Sequence, residues 1–231
     1  MACVLSESGP EMIVFDLFAG TGSSTRAFAD AGHDVYTFEL DPAFDATETV
    51  DILDLDAGYL ARVYGRPDFV WASPPCTAFS VASIGTHWGG GHRQYVPKTD
   101  AARHNQELVA HTVRLMAGLR PRYGWLMENP RGVLRKLPVV AGLPISTVWY
   151  CQYGDDRAKP TDLWGGVDGW VPRPVCRNGA GDHVSAPRGA KTGTQGRDGA
   201  RSRSEVPYGL SLSLLEATTR PALAYETAGA A

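Results

Sequence analysis

Three short apolar segments, each ending in a different polar motif, constrain the fold of this chain more than any other feature. Residues 12–18 lead into a glycine-rich turn, residues 68–73 into a Pro-Pro-Cys motif, and residues 123–128 into Glu-Asn-Pro. Short apolar runs that alternate with segments of helical spacing are typical of buried strands in a parallel sheet. Ligands and reacting groups collect at the carboxyl ends of such strands. The three motifs therefore mark the edge of the sheet at which we expect the chemistry.

The remaining pattern predicts an α/β fold with a mostly parallel, twisted, doubly wound sheet and helices on both faces. Helices are expected at residues 23–31, 99–119 and 207–219. Further strands are expected at residues 34–40, 50–53, 145–152 and 161–164. Residues 167–204 are rich in Gly, Pro, Arg and Ser and show little periodicity, and this irregular segment is too short to form a core of its own.

The bulk properties suit one medium-sized domain, since 231 residues can bury a substantial core. The net charge of −3 does not point to nucleic acid, but basic residues are concentrated between positions 173 and 203. That stretch can neutralise phosphates, or it is a solvated segment without a partner. The four cysteines form no CxxC pair, which favours a reduced, cytoplasmic setting. We expect a monomer with no secretory leader and no membrane partner.

The glycine-rich turn has the features of a nucleoside site. Gly20 and Gly22 let the backbone approach a ligand closely, and no lysine follows them, which disfavours a triphosphate. Glu39 ends the next predicted strand, where a carboxylate can bind ribose hydroxyls. Asp51 or Asp54 can accept a hydrogen bond from an adenine amino group. A neutral turn with two acids suits a nucleoside whose 5′ substituent is cationic, as in S-adenosylmethionine.

The glycine-rich turn, the Pro-Pro-Cys motif and the Glu-Asn-Pro motif together resemble the cytosine-5 DNA methyltransferase family in their order and spacing. The resemblance implies a Rossmann-like fold, S-adenosylmethionine as cofactor, and a cytosine flipped out of duplex DNA as substrate. The form of the motifs resembles a short, phage-encoded branch of the family. That branch implies the cytoplasm of a bacterial or phage-infected cell.

The resemblance also implies a set of cofactor contacts along the sheet edge. These are Asp16, Phe18, Ala19, Gly20, Gly22, Ser23, Glu39, Leu40, Asp51, Ile52, Asp54, Pro74, Ser204 and Val206. The choice of adenine partner is open, because the Asp-Ile pair favours Asp51 whereas the spacing to Cys76 favours Asp54.

Cys76 is implied to be the nucleophile, in a turn that Pro75 stiffens. Carbon 5 of cytosine is a poor nucleophile, and a thiolate added at carbon 6 converts the ring into a reactive enamine. Glu128 is expected to donate a proton to ring nitrogen 3, provided that a dry site raises its pKa. Asn129 is expected to orient Cys76 or the base.

The chain departs from the family at two motifs. Lys159 and Thr161 stand where the family carries a pair of arginines, with Arg157 slightly out of register, so the base carbonyl is expected to meet Lys159 or Arg157. Near the C-terminus an asparagine of the family is replaced and Arg203 lies close by. This change leaves open an anionic analogue of S-adenosylmethionine as the cofactor.

The short segment before the last helix sets the expected domain boundaries. Residues 1–166 are expected to form the catalytic, cofactor-binding domain, residues 167–204 a minimal DNA-contact segment, and residues 205–231 a returning helix and tail. Cys176 and His183 are candidate metal ligands, but no second pair follows at suitable spacing, so no metal is expected.

Residues 77–99 are rich in glycine and are expected to form a lid whose Trp88 wedges into the duplex. Two rival functions stay open. One is a tRNA cytosine-5 methyltransferase, since RNA loops present bases that are already unstacked. The other is a cofactor-binding protein that associates with DNA without catalysis, although the presence of Cys76, Glu128 and Asn129 argues against it.

Overall fold

The computed structural model describes residues 11–90, 94–177, 181–184 and 200–219. Within these residues the main sheet has seven strands: β1 (Ile13–Leu17), β2 (Asp34–Glu39), β3 (Glu48–Thr49), β4 (Phe69–Ala72), β7 (Gly124–Pro130), β8 (Ile145–Trp149) and β9 (Pro160–Val167). Two short strands, β5 (Trp88–Gly89) and β6 (Val96–Pro97), form a separate hairpin. The order in the main sheet is β3-β2-β1-β4-β7-β9-β8.

The direction of β9 determines which residues meet at the sheet edge. Strands β3, β2, β1, β4 and β7 are parallel, whereas β9 is antiparallel to both β7 and β8. The amino end of β9 therefore lies beside the carboxyl end of β7, with Thr161 paired to Pro130 and Leu163 to Glu128. Lys159, immediately before β9, comes to the same edge as the three motifs.

Helices cover both faces of the sheet, as the sequence predicts. They are α1 (Arg26–Asp30), α2 (Ala57–Tyr64), α3 (Ile84–His87), α4 (Asp100–Leu119), α5 (Ala200–Ser204) and α6 (Tyr208–Thr219). Because alternate strand residues point to opposite faces, Phe15 packs in the same core as residues of α2 and α4. Val14 packs on the other face with Phe28 of α1 and Leu210 of α6. The α/β fold with a mostly parallel sheet is confirmed.

The element boundaries differ from the prediction where short polar side chains bind locally. Helix α1 begins only at Arg26, because the hydroxyls of Ser24 and Thr25 donate to Asp16. The strand predicted at residues 50–53 is wrong. Asp51 instead caps a short 3₁₀ helix, Ile52–Asp54, by accepting a hydrogen bond from Leu53 N at 2.9 Å.

The glycine-rich stretch after Cys76 is folded in its described part, and Trp88 is not an exposed wedge. Its side chain is 5% exposed, its ring stacks on Phe79, and its indole N–H donates to the carbonyl of Ala78 at 2.6 Å. Lys98 Nζ donates to the carbonyl of Gly85 at 2.6 Å, which ties the two sides of the stretch together. The Trp88 ring is buried because it packs against residues 78 and 79 of the turn that carries Cys76.

The irregular segment after β9 has neither helix nor strand at residues 168–177 and 181–184. Trp170 Nε1 donates to Ser213 Oγ at 3.1 Å, and the N–H of Val184 donates to the carbonyl of Asp156 at 2.9 Å. Three residues of the predicted basic stretch, Arg188, Lys191 and Arg197, lie outside the described residues. No helix in the described ranges is long and apolar enough to cross a membrane.

Candidate active site

The turn that carries Cys76 is held by two buried amides. Asn129 Nδ2, at the end of β7, donates to the carbonyl of Pro74 at 3.0 Å, and Asn105 Nδ2 on α4 donates to the carbonyl of Pro75 at 3.2 Å. Both prolines have a fixed φ, so these two bonds and the rings leave the turn little freedom. The Cys76 carbonyl accepts from the N–H groups of residues 79 and 80, which closes the turn on its other side.

Glu128 lies at the carboxyl end of β7 with its side chain in a dry environment. The residue is 6% exposed, and Tyr150 donates its phenolic hydrogen to Glu128 Oε1 at 3.2 Å. Burial raises the pKa of the Glu128 carboxyl, while the Lys159 ammonium and the Tyr150 hydrogen bond oppose that rise. The expected dry site for an acid is therefore present.

Cys76, Glu128 and Lys159 are close enough to interact electrostatically. Burial raises the pKa of the Cys76 thiol, the charge of Glu128 raises it further, and the cations Lys159 and Arg203 lower it. Burial also lowers the pKa of Lys159, which nearby Glu128 and Cys76 partly offset. The ammonium lies 4.5 Å from the centre of the Tyr150 ring and donates to the carbonyl of Arg203 at 3.3 Å.

Arg157 does not present its guanidinium to the site in the way that the sequence suggests. Its side chain is buried and forms a bidentate ion pair with Asp155. Its remaining N–H groups donate to the carbonyls of Arg203 at 3.3 Å and Glu205 at 3.4 Å. All three guanidinium nitrogens of Arg157 therefore already have acceptors within the protein.

The glycine-rich turn at the end of β1 fits a nucleoside cofactor. Phe18, a bulky residue, has a φ of +59°, a conformation that L side chains adopt only under constraint. Gly20 and Gly22 also have positive φ, and a Cβ at either position would project into open space rather than into protein atoms. Glu39 fixes the turn, since its carboxylate accepts from Gly20 N at 2.9 Å and from the N–H groups of Leu40 and Asp41. The turn thus leaves a cradle lined by backbone and an anchored carboxylate.

Asp16 supports this turn from beneath. It is fully buried, and its Oδ2 accepts hydrogen bonds from Ser24 at 2.6 Å and Thr25 at 2.8 Å. Its other oxygen, Oδ1, has no hydrogen-bond partner among the described residues. Burial outweighs the two hydroxyls and raises the pKa of Asp16 to about 7. The structure therefore places Asp16 inside the turn, where it shapes the loop.

The other expected cofactor residues divide between the turn, the sheet edge and the C-terminal segment. Ala19, Ile52, Pro74 and Val206 are buried; Ser23 and Asp51 are half-buried; Leu40, Asp54 and Ser204 are exposed. Ser23 Oγ accepts from the N–H of Val206 at 3.0 Å, which fastens the C-terminal segment to the turn. A cavity of about 660 Å³ lies beside this contact, with Thr21 and Tyr153 in its wall. Ser204 donates to the Arg201 carbonyl of its own helix at 2.8 Å.

Two residues of the site escape sequence reasoning. Asn105 lies in the second turn of α4 and Tyr150 follows β8, so neither adjoins a motif. Both are buried polar groups whose partners come from distant parts of the chain. The only local sequence signal for Asn105 is that a polar residue stands among the apolar positions of α4. No local sequence signal marks Tyr150 as part of the site.

Comparison with known proteins gives one extensive match. A Frog virus 3 (isolate Goorha) protein named "Probable DNA (cytosine-5)-methyltransferase" is 32% identical over 222 residues, covering 89% of this chain and 99% of that protein. No protein-family model matches the chain.

Solved structures resemble the fold at low identity. The Entamoeba histolytica methyltransferase EhMeth has a TM-score of 0.50 and 11% identity, covering 68% of this chain and 53% of that one. The S. pombe Dnmt2 methyltransferase has a TM-score of 0.45 and 14% identity, covering 71% and 52%. The chain spans about half the length of these two solved proteins.

The viral relative matches along nearly its whole length, and EhMeth supports the fold of a methyltransferase. The cradle after β1, with its open glycines and anchored carboxylate, fits S-adenosylmethionine. The chain belongs to the cytosine-5 methyltransferase family, whose members transfer a methyl group to nucleic acid.

Proposed function

We propose that this protein methylates carbon 5 of a cytosine flipped out of DNA, with Cys76 as the nucleophile. The proposal rests chiefly on one observation: a thiol, a buried carboxyl with a raised pKa and an ammonium group interact at the sheet edge. These are the groups that addition to a pyrimidine ring needs. The name of the viral relative, which specifies DNA, supports the choice of substrate.

In the first step the Cys76 sulfur forms a bond to carbon 6 of cytosine. The raised pKa of the thiol means that the resting group is protonated and that its proton passes to water as the sulfur attacks. Lys159, whose charge lowers the pKa of Cys76, stabilises the thiolate during this step, and we assign the base carbonyl to the same ammonium group. Pro75, Asn105 and Asn129 hold the sulfur in position through the turn.

Glu128 keeps charge from building on the ring. In its acid form it donates a proton to ring nitrogen 3 while the sulfur adds to carbon 6, which leaves an enamine. S-adenosylmethionine, when bound, supplies the methyl group that carbon 5 receives. The hydrogen on carbon 5 then leaves to water, the sulfur–carbon bond breaks, and nitrogen 3 returns its proton to Glu128. Tyr150 holds the Glu128 carboxyl in the orientation that this exchange requires.

We assign residues 1–166 to catalysis and cofactor binding, residues 167–204 to nucleic-acid contact, and residues 205–231 to the returning helix and tail. So short a contact segment predicts a brief or relaxed sequence preference. It also keeps tRNA as a second candidate substrate, because unpaired RNA bases need less protein surface to expose them. Duplex DNA and tRNA offered to the purified protein under the same conditions separate the two.

The test is nucleoside mass spectrometry of DNA from cells that express the chain, with Cys76→Ala as the control. We expect 5-methylcytosine in DNA only when Cys76 is present. Modified cytosine in tRNA alone would move the substrate to RNA. Unmodified DNA and RNA in both samples would overturn the enzymatic proposal in favour of a binding role.

The same mass spectrometry, applied to DNA treated with the purified protein, tests the identity of the transferred group. Arg203 is close enough to Cys76 to lower the pKa of its thiol, so positive charge is present beside the reaction centre. An anionic analogue of S-adenosylmethionine would yield a cytosine adduct heavier than 5-methylcytosine. Detection of 5-methylcytosine alone, with both cofactors supplied in vitro, rules that analogue out.

A further inference from the structure

We propose that Cys151, Cys176, Asp182 and His183 form a structural zinc site that fastens the contact segment to the catalytic domain. One ligand atom from each of the four side chains lies within 4.8 Å of all the others. The Cys176 sulfur is 3.5 Å from Asp182 Oδ1 and 3.5 Å from His183 Nδ1. With Zn–S bonds of about 2.3 Å and Zn–N bonds of about 2.0 Å, tetrahedral ligand atoms lie about 3.3–3.8 Å apart. The cluster is thus close to the size of a zinc site.

The donor set selects the metal. Two sulfurs and an imidazole suit zinc, whereas magnesium and calcium prefer sites made of oxygen ligands. Four protein ligands complete a tetrahedron without a position for water, which is the arrangement of structural zinc. His183 Nδ1 and Asp182 Oδ1 are 2.7 Å apart as a hydrogen-bonded pair, and they separate slightly when both bind a cation.

A neighbouring side chain orients two of the ligands. Gln152 Nε2 donates to Asp182 Oδ2 and lies 3.9 Å from the Cys151 sulfur. Hydrogen bonds of this kind fix the direction of metal ligands. Gln152 is itself held by Arg173, whose Nη1 donates a hydrogen bond to the Gln152 carbonyl at 2.6 Å.

The proposed site differs from the expectation that no metal binds, which rests on sequence spacing after Cys176 and His183. Cys151 lies on the short 3₁₀ helix Tyr150–Tyr153, beyond β8, and comes from a different part of the chain than Cys176 and His183. Sequence spacing therefore does not reveal the cluster. Tyr150, which donates to Glu128, is the residue immediately before the ligand Cys151.

The described part of the contact segment has little apolar packing to hold it in place. Val171, Val175 and Val184 are 80%, 60% and 61% exposed, so these apolar side chains contribute little to a core. Small units of this kind are commonly stabilised by a metal. A zinc ion bound at both Cys151 and Cys176 would cross-link the segment to the catalytic domain.

The test measures metal on the full-length protein after purification without chelators and dialysis against metal-free buffer. We expect one zinc per chain by mass spectrometry in the wild type, and less than a tenth of that in Cys176→Ser and in His183→Ala. The matched control is Cys76→Ser, which removes a cysteine outside the cluster and is expected to keep the zinc. Because zinc content is independent of methyl transfer, failure of the proposed enzymatic function leaves this result interpretable.

Cobalt provides a second readout that depends on ligand identity. We expect Co²⁺ added to the metal-free wild type to give thiolate-to-cobalt charge-transfer absorption and the visible bands of a tetrahedral site. Cys176→Ser is expected to weaken the charge-transfer band, and Cys76→Ser to leave it unchanged. The absence of stoichiometric zinc and of a charge-transfer band in the wild type would overturn the proposal, as would full zinc content in both Cys176→Ser and His183→Ala.

Discussion

A single buried carboxyl group, Glu128, sets the pH dependence that we expect for methyl transfer. The reaction needs the Cys76 thiolate and the Glu128 acid together, and burial raises the pKa of both groups. The single-turnover rate should therefore rise with pH and fall again when the acid form is lost. Glutamine cannot lose a proton, so Glu128→Gln is expected to remove the falling limb and to lower the rate about 10²–10⁴-fold.

The matched control for this prediction is Glu107→Gln, which changes an exposed glutamate on α4. It should leave both limbs of the pH profile in place. A falling limb that persists in Glu128→Gln would show that another group supplies the proton.

Asp16 is expected to make the free energy of unfolding depend on pH, whereas Glu128 affects the rate of methyl transfer. Its pKa is raised from 3.8 to about 7 in the folded protein, so the folded state holds its proton more tightly than the unfolded chain. The stability that this proton contributes is complete below pH 3.8 and is lost as the pH rises to about 7. We expect Asp16→Asn to gain stability relative to the wild type across that window, with no further change above it.

Urea unfolding of Asp16→Asn and the wild type at intervals of pH measures this difference directly. Glu107→Gln again serves as the control, since its side chain is exposed. A difference between Asp16→Asn and the wild type that does not vary with pH would mean that Asp16 is ionised in the folded protein.

At the scale of elements, the segment after β7 packs directly on the turn that carries the thiol. A Cβ at Gly132 would lie 2.3 Å from the carbonyl oxygen of Phe79, which also accepts from the N–H of Val133. We expect Gly132→Ala to displace the Cys76 turn, to destabilise the protein by about 1–3 kcal/mol, and to impair methyl transfer more than cofactor binding.

Gly166→Ala on β9 is the matched substitution, because a Cβ there would meet no atom within 4 Å. It should change stability by less than about 0.5 kcal/mol. Thermal unfolding and single-turnover assays of both variants check the pair, and equal effects of the two would contradict the packing argument.

Sequence reasoning succeeds for elements whose pattern is local. Helix α4 follows its apolar spacing and begins after Thr99, whose hydroxyl accepts from Ala102 N at 3.2 Å. The strand expected at residues 50–53 fails because the Asp51 side chain bonds its own backbone and caps a 3₁₀ helix. The burial of Trp88 could not be predicted either, since its partner surface is the turn of Cys76 itself.

The site residues also divide into those that a local sequence pattern predicts and those that depend on tertiary contacts. Cys76 and Glu128 each adjoin a predicted strand, so the sheet alone brings them to one edge. Tyr150, Arg157 and Cys151 depend on the antiparallel return of β9 and on contacts between distant segments, which single-sequence patterns do not contain. The sequence offers Arg157 to the base although it lies out of register with the motif, whereas its guanidinium binds the neighbouring Asp155 and the distant carbonyls of Arg203 and Glu205.

At the scale of the whole molecule, cofactor binding should stabilise the fold through Glu39. A ligand at about 100 times its Kd adds about 2.7 kcal/mol, or about 5–10 °C in Tm for a chain of this length. In Glu39→Gln one of the two acceptor oxygens becomes an NH2 group, which faces the N–H group of either Gly20 or Leu40, so the anchored carboxylate is lost. We expect the Tm increase with S-adenosylmethionine to be absent in this variant.

Differential scanning fluorimetry with and without S-adenosylmethionine measures the increase, and Glu107→Gln should retain it in full. If S-adenosylmethionine raises the Tm of Glu39→Gln as much as that of the wild type, the ribose binds elsewhere than at the end of β2.

Both ends of the contact segment are fastened to the catalytic domain. Trp170 bonds Ser213 at one end, and the buried Arg157 binds the carbonyls of Arg203 and Glu205 at the other. The cost of closing a loop between fixed ends grows only with the logarithm of its length, by about 0.6 kcal/mol for each doubling. Because the cost of lengthening this span is small, we expect the chain between residues 170 and 203 to tolerate an inserted module, in evolution or in the laboratory, with little loss of stability.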